Sequence, residues 1–286
     1  MIRVTPEASL RARLARAALH AGLAAFTLAM LYPVLWMIAS SFKPERIIFT
    51  DFSLWPRDAS LRAYVEGWTG LSVSFTRFFA NSTFVAVLAV IGNVTACSLA
   101  AFAFARLQFR LKKFWFALML GTLMLPYHVT LIPQYVLFLK LGWIDTFLPL
   151  VAPKFLAVDA FFIFLMVQFF RGIPREFDEA AMMDGCGPWG VYRRVMLPLS
   201  RPVLATAAIF SFIWTWDDFF GPLIYLNDVE LYTAPLALRS FVDSTGRTEW
   251  GPLFAMSTLS LAPVFAVFLL FQRHIIRGIT MSGLKG

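Results

Sequence analysis

The segment FANSTFVAVLAVIGNVTACSLAAFAFA, from Phe79 to Ala105, contains no charged residue and consists mostly of apolar side chains. About 20 mostly apolar residues in helical form cross the hydrocarbon core of a bilayer, where unpaired backbone groups cannot be left without partners. The segment is long enough for one such crossing. It therefore predicts a membrane-spanning helix.

Six segments of this kind follow one another along the chain. The composition agrees, since 59% of the 286 residues are hydrophobic and 15% are charged, whereas a soluble domain carries roughly 25% charged residues. The predicted fold class is all-α, a polytopic membrane protein with six transmembrane helices. The predicted spans run approximately from Ala17 to Ser41, Phe79 to Ala105, Phe114 to Ile132, Phe147 to Phe170, Val203 to Leu226 and Gly251 to Phe271.

The distribution of Lys and Arg predicts the orientation, because cytoplasmic segments retain positive charge. Most basic residues lie before the first span, after the second, after the fourth and after the sixth. Both termini are therefore predicted to be cytoplasmic. The chain is interpreted as one membrane domain, with residues 1–16 as the N-terminal segment, 17–271 as the six-span core and 272–286 as the tail. The first apolar run is too long for a signal peptide and is interpreted as a retained span.

The net charge of +8 could indicate a nucleic-acid partner in a soluble protein. Here the basic residues alternate with apolar spans, and no basic patch is interleaved with stacking aromatic residues. The lipid bilayer explains the charge better, and no nucleic-acid partner is predicted.

The loop between the fourth and fifth spans is unusually long. It reads GIPREFDEAAMMDGCGPWGVYRRVMLPLSRP, from Gly172 to Pro202, whereas helix connections are typically about 2 to 8 residues. Pro174 suits the start of a first short helix, and Gly185 suits the left-handed conformation that ends it. A second helix is expected to begin at Pro188 and to stop at Pro198. Its predicted shared face consists of Trp189, Tyr192, Val195 and Met196.

A motif in this loop resembles the EAA loop of permease subunits in bacterial ATP-binding-cassette importers. The resemblance implies that residues 171–202 form a coupling loop that docks into a cleft on a nucleotide-binding subunit. An amphipathic loop at the membrane interface is the plainer alternative. The residues that carry the motif are Glu179, Ala180, Ala181, Asp184, Gly185, Leu197 and Pro198.

Other segments are similar to the maltose-type branch of sugar permeases and extend the resemblance over nearly the whole chain. They imply carbohydrate as the substrate class. Asp217 and Val167 depart from that pattern, because relatives commonly have Asn and Arg there. The similar segments are SSFKPERIIFT, FFANSTFVA, LPYHVTLIPQY, WTWDDFFGPLIYL and FQRHIIRGITMSGLKG.

The resemblance also implies the partners. They are a second homologous permease subunit, two ATP-binding-cassette ATPase subunits and an extracytoplasmic solute-binding protein. The Gly-Lys dipeptide of a phosphate-binding P-loop is missing from the sequence. The chain is therefore predicted to be no enzyme and to bind no cofactor, with ATP and Mg held by the ATPase subunits.

Charged residues at membrane depth are costly and are candidates for function. Asp159, Asp217 and Asp218 are expected to line a translocation pathway, unless they pair within the bundle, for example with Lys154, or with a partner subunit, or irregular backbone near Gly221 and Pro222 puts them close to water. Trp214 and Trp216 could stack on a sugar ring or serve as packing residues. No spacing of His or Cys predicts a metal site. An ion-gradient-coupled secondary transporter, with these carboxylates as ion sites, remains the alternative function.

Overall fold

The computed structural model describes residues 6–242 and 248–283, and the side chains of 13–126, 128–242 and 248–272. The described part of the chain is all-helical, without a strand, as the sequence predicts. Its α-helices are α1 (Pro6–Ser40), α2 (Arg62–Thr69), α3 (Phe75–Arg106), α4 (Lys112–Thr122), α5 (Tyr127–Lys140), α6 (Leu148–Val151), α7 (Ala160–Gly172), α8 (Glu176–Met183), α9 (Pro188–Val191), α10 (Leu197–Leu199), α11 (Arg201–Trp216), α12 (Phe220–Tyr225), α13 (Ala234–Ala237) and α14 (Trp250–Gly283).

Four helical segments in the described residues are long and apolar enough to cross a membrane. A fifth follows if the bent pair Pro188–Leu199 and Arg201–Trp216, which meet at 77°, counts as one crossing. The prediction of a polytopic helical membrane protein is thus confirmed at the level of four or five spans. The four segments are Arg13–Ser40, Phe75–Arg106, Leu148–Gly172 and Trp250–Gln272.

The third predicted span, Phe114 to Ile132, is not one continuous helix. It is divided between α4 and α5. From Leu123 to Leu125, each backbone N–H bonds to the carbonyl three residues earlier, as in a tight turn. Pro126 explains the break, since a residue before proline is disfavoured in helical conformation and proline has no N–H to donate.

The fourth and fifth predicted spans are interrupted as well. Ahead of α7 the helix α6 passes into a tight turn that ends at Ala157, whose φ is +54°. After α11 the chain leaves helical form at Asp217 and resumes as the short helix α12. The last span, in contrast, continues as α14 beyond the predicted boundary at Phe271 to Gly283, and residues 284–286 of the predicted tail lie outside the described residues.

The chain divides into two compact units, Met1–Gly70 with Phe241–Thr258, and Leu71–Ser240 with Leu259–Gly286. In the first unit the Glu45 carboxylate accepts hydrogen bonds from the backbone N–H groups of Trp250 and Gly251, at 2.7 and 2.8 Å. These groups begin α14 and have no helical acceptor of their own. The short helix α2 also belongs to this unit.

In the second unit α3 is the central helix and packs against α7 and α11. Small side chains on α3 allow this close approach, which is a common basis of helix packing in membranes. At Gly92 the turn ahead of α7 comes so close that an added Cβ would lie 2.8 Å from the ring of Phe155.

The polar residues of α3 lie inside the apolar segment and have partners across helices. Asn93 donates to the Ser211 hydroxyl at 2.9 Å, and the Ser98 hydroxyl lies 2.8 Å from that of Tyr192. Hydrocarbon offers such groups no partner, so each pair favours one arrangement of α3 against its neighbours.

Candidate functional site

The first helix of the long loop is α8, and Gly185 ends it as the sequence predicts. Gly185 has φ +83°, and its N–H bonds to the Met182 carbonyl at 3.0 Å while the Cys186 N–H bonds to the Ala181 carbonyl at 2.9 Å. This pair of bonds is the Schellman motif, which satisfies the last carbonyls of a helix. The helix begins at Glu176 rather than at Pro174.

Most of α8 is exposed. Glu179 and Ala180 are open to solvent, as are Asp184 and Gly185 just beyond the helix, while Ala181 is half-buried. Met183 is 89% exposed. An eight-residue helix that presents this much surface has little burial of its own to stabilise it.

Asp178 is the buried residue of α8 and joins the loop to the end of α3. Its carboxylate lies 2.8 Å from the guanidinium of Arg106, and the two side chains are 9% and 6% exposed. Arg106 also donates to the carbonyl of Ile173 at 2.7 Å. Burial raises the pKa of Asp178, and the nearby Arg106 opposes that rise.

Sequence reasoning missed this pair. It assigned Asp178 to the helix terminus and Arg106 to the charge bias, and no sequence spacing links two residues so far apart. The signal that could have found it is a charged residue at the very end of an apolar span, where pairing is required if the side chain is buried.

The second helix of the loop starts at Pro188 as predicted and ends at Leu199, one residue beyond the predicted stop at Pro198. Within it, Tyr192–Met196 forms a π-helical turn, in which the Leu197 N–H bonds to the Tyr192 carbonyl five residues earlier.

Residues of the predicted shared face of this second helix lie together. Tyr192 and Met196 are buried in the core, and Val195 packs against that core. The ring of Trp189 lies 5.3 Å from that of Tyr192 and is 63% exposed.

Asp159, one of the predicted pathway residues, lies just before α7 and pairs with Lys154 at 3.0 Å, both side chains being 28% exposed. The pairing alternative considered from sequence is therefore present. The pair sits where the fourth span is interrupted and its backbone is not helical.

Asp217 and Asp218 lie in the corresponding break between α11 and α12. Asp218 accepts a hydrogen bond from the Gly221 N–H at 3.1 Å and lies within electrostatic reach of Lys154. Asp217 is exposed. Lys154, which pairs with Asp159 in the first break, thus acts electrostatically on the second break as well.

Trp214 is 51% exposed and stands beside Phe161 and Phe162, with ring centroids 5.3 and 5.2 Å away. Trp216 differs, since it is buried and donates to the Ser260 carbonyl at 3.0 Å. Trp214 therefore retains a free aromatic surface, while Trp216 serves packing.

Several apolar spans, two of them interrupted at carboxylates, are typical of a membrane transport subunit. The chain belongs to the family of binding-protein-dependent transport system inner membrane components, which matches residues 92–281.

Relatives with similar sequences are named as permease proteins of transport systems. The chain is similar to the probable ABC transporter permease protein YurM of Bacillus subtilis (strain 168), with 35% identity over 91% of this chain and 86% of the relative. It is 30% identical to the arabinooligosaccharides transport system permease protein AraQ of Halalkalibacterium halodurans, over 93% and 95% of the two chains. The sn-glycerol-3-phosphate transport system permease protein UgpE of Brucella abortus is 33% identical, over 87% and 90%.

A solved structure of a bacterial ABC transporter involved in the import of the acidic polysaccharide alginate has the same fold. The TM-score is 0.80, the identity 22%, and the match covers 96% of this chain and 99% of that chain.

The resemblance inferred from the EAA loop is thus confirmed. The protein is a permease subunit of an ATP-binding-cassette importer in the inner membrane. Such subunits are not enzymes and bind no cofactor, because the partner ATPase uses the ATP. The family gives the ion-gradient alternative no support.

Proposed function

We propose that this subunit carries a sugar or oligosaccharide across the membrane, together with a second homologous permease, two ATPase subunits and an extracytoplasmic binding protein. The residues Glu179 to Gly185, with Leu197 and Pro198, form the coupling element. Closure of the ATPase dimer moves this element, and the spans open alternately to each side. Such a change is a two-state shift driven from a distant site.

The proposed topology has six spans and both termini in the cytoplasm. The fifth crossing is the bent α11 with α12, and the third is α4 with α5. Chains with broken helices of this kind are common in transporters. The basic residues that flank these segments support the orientation. All 286 residues then form one membrane domain.

The exposed surface of α8 is the observation that carries the coupling role. Phe177 and Met182 are 50% and 54% exposed, and Met183 more so. A short helix with exposed apolar side chains is stabilised when a groove on a partner covers it. Glu179 adds a charge for a basic partner, and Ala180 allows the two backbones to come close.

The interrupted spans support a pathway role for Asp159, Asp217, Asp218 and Trp214. Non-helical backbone at membrane depth is tolerated where it is buried in protein or lines a polar cavity. Carboxylates accept hydrogen bonds from hydroxyl groups, and the free face of Trp214 can stack on a sugar ring. Lys154, which lies in the first break, pairs with Asp159.

The substrate class is supported by what the relatives transport. AraQ is an arabinooligosaccharide permease, and a MalG protein of Thermococcus litoralis, 31% identical, is a trehalose/maltose permease. UgpE transports sn-glycerol 3-phosphate. Uptake into vesicles that contain the whole complex and its binding protein tests this proposal. Neutral oligosaccharides should be taken up, and uptake of sn-glycerol 3-phosphate alone would contradict it.

The coupling role is tested by Glu179→Lys in the co-expressed complex. The variant should insert and pair with the second permease, yet lose ATPase co-purification or transport, because its charge no longer suits the partner. Glu66→Lys is the matched control. It reverses the charge of an exposed helix residue elsewhere, whose i,i+4 pair with Arg62 is exposed to solvent and contributes little to stability. Wild-type transport by Glu179→Lys would refute the role.

A further inference from the structure

An open cavity of about 640 Å³ lies where α3 ends and α7 passes into the loop. Its charged lining residues are Arg106, Lys112, Arg171, Arg175 and Glu176. Arg106 is paired with Asp178. The remaining charged residues of the lining are three cations and one carboxylate.

The charges of these three cations are compensated only in part, because Arg175 alone of the three lies within electrostatic reach of Asp178. Among the residues whose side chains are described, Lys112, Arg171 and Arg175 form no ion pair. The Lys112 ammonium donates to the Leu107 carbonyl at 2.6 Å, and the Arg171 guanidinium lies 5.0 Å from the centre of the Phe116 ring. Burial lowers the pKa of Lys112, and the charges of Arg171 and Arg175 lower it further. An anion in the cavity would relieve this repulsion.

Helix α4 begins at Lys112, which lines the cavity, and has exposed apolar side chains further along. Phe114, Trp115 and Leu118 are 56%, 48% and 52% exposed. Two apolar spans, Phe75–Arg106 and Leu148–Gly172, end beside the cavity. A charged cavity at the ends of spans, lined by the first residue of an exposed apolar helix, matches a molecule with an anionic head and a hydrocarbon chain.

We propose that this cavity binds the phosphate-bearing headgroup of an anionic phospholipid, with Lys112, Arg171 and Arg175 as its ligands and the acyl chains along α4. The site rests on the proposed topology, which puts these residues at the cytoplasmic face. A lipid bound beside Ile173 and Arg175 would fix the start of the coupling loop. Basic pockets between helices at this face are suited to such headgroups.

The test uses the whole transporter in mild detergent, with bound lipid counted by native mass spectrometry. Phosphatidylglycerol, phosphatidylcholine and inorganic phosphate are the probes. The wild-type complex should retain phosphatidylglycerol in preference to phosphatidylcholine. In Lys112→Gln with Arg171→Gln, phosphatidylglycerol should bind about 30-fold more weakly, because two basic residues no longer attract it.

The control is Arg110→Gln with Lys113→Gln, which removes two exposed cations of the same segment outside the cavity lining. It should keep phosphatidylglycerol. Equal loss in both double variants, or no loss in the first, would overturn the proposal. Displacement of the lipid by millimolar inorganic phosphate would show a soluble-anion site instead. Failure of the complex to assemble as a permease would count against the proposed function, whereas an assembled complex without lipid preference would count against this site alone.

Discussion

At the residue scale, Gly185 is a position where backbone conformation alone decides which residue fits. Its φ is +83°, and an added Cβ would meet no heavy atom within 4 Å. Gly185→Val should therefore cost about 1 to 2 kcal/mol through the left-handed conformation and misdirect the turn. Gly185→Asn should cost much less, because Asn tolerates this conformation.

Co-purification of the ATPase and transport rates in the same complex measure the effect. Gly185→Val should lose both while still inserting and pairing with the second permease. Equal activity of the Val and Asn variants would mean that the left-handed backbone conformation at position 185 does not determine activity.

The buried pair of Arg106 and Asp178 gives a second residue-scale prediction. Arg106→Met leaves a buried carboxylate without its partner, which typically costs about 3 to 5 kcal/mol. The double change Arg106→Met with Asp178→Leu should recover most of that loss, since an apolar replacement of both partners is often neutral. Thermal unfolding of the purified complex measures both variants.

The pH dependence separates a charge effect from lost packing. Burial already raises the pKa of Asp178, and removal of Arg106 should raise it further. In Arg106→Met, burial of the ionised Asp178 carboxylate destabilises the fold at high pH, and this destabilisation disappears as the carboxylate is protonated at lower pH. The deficit of Arg106→Met should thus be smaller at pH 5 than at pH 8, and a deficit independent of pH would point to packing.

At the element scale, Asp145 joins two loops of the second unit. Its carboxylate accepts the N–H groups of Asn227 and Asp228 at 2.8 and 2.9 Å, and its own N–H bonds to the Tyr225 carbonyl. These bonds lower the pKa of Asp145 below its usual value. A carboxylate with a lowered folded-state pKa stabilises the fold above the unfolded-state pKa, and that contribution is lost as pH falls through the folded-state value.

Asp145→Asn should therefore melt at a lower temperature than the wild type at pH 7. Asn can keep the positive φ of +63° found here, so the comparison isolates the charge. The difference should begin to shrink as pH falls below about 4, the ordinary pKa of the carboxyl in the unfolded chain, and should close only at lower pH, once the folded-state carboxyl is protonated as well. A difference that does not shrink as pH falls would show that the charge is not responsible.

The extent of sequence prediction differs between elements. Apolar length predicts α3 within a few residues, and local stereochemistry predicts the positive φ of Gly185, because both depend on neighbours in sequence. The interruptions near Ala157 and Asp217 are not visible in a hydropathy pattern, since their side chains belong to apolar segments. The ion pair of the coupling loop depends on tertiary contact, which one sequence does not reveal.

At the scale of the whole molecule, the number of membrane crossings between Asp58 and Met183 depends on whether α4 and α5 together cross the membrane. Between Asp58 and Met183 the chain contains α3, the pair α4 and α5, and the interrupted segment that ends with α7. If α4 and α5 together cross the membrane, three crossings separate the two residues and they lie on opposite sides. If the pair re-enters on the same side, two crossings separate them and they lie on the same side.

Single-cysteine labelling decides between these topologies. In a background without Cys97 and Cys186, Asp58→Cys and Met183→Cys supply exposed thiols, and Met183 is 89% exposed. In intact cells a membrane-impermeant maleimide should label position 58 and leave position 183 unlabelled until the membrane is opened. This result follows because positive charge keeps the coupling loop in the cytoplasm and three crossings put position 58 outside. Labelling of both positions, or of neither, in intact cells would show that α4 and α5 do not cross, and labelling of position 183 alone would invert the orientation.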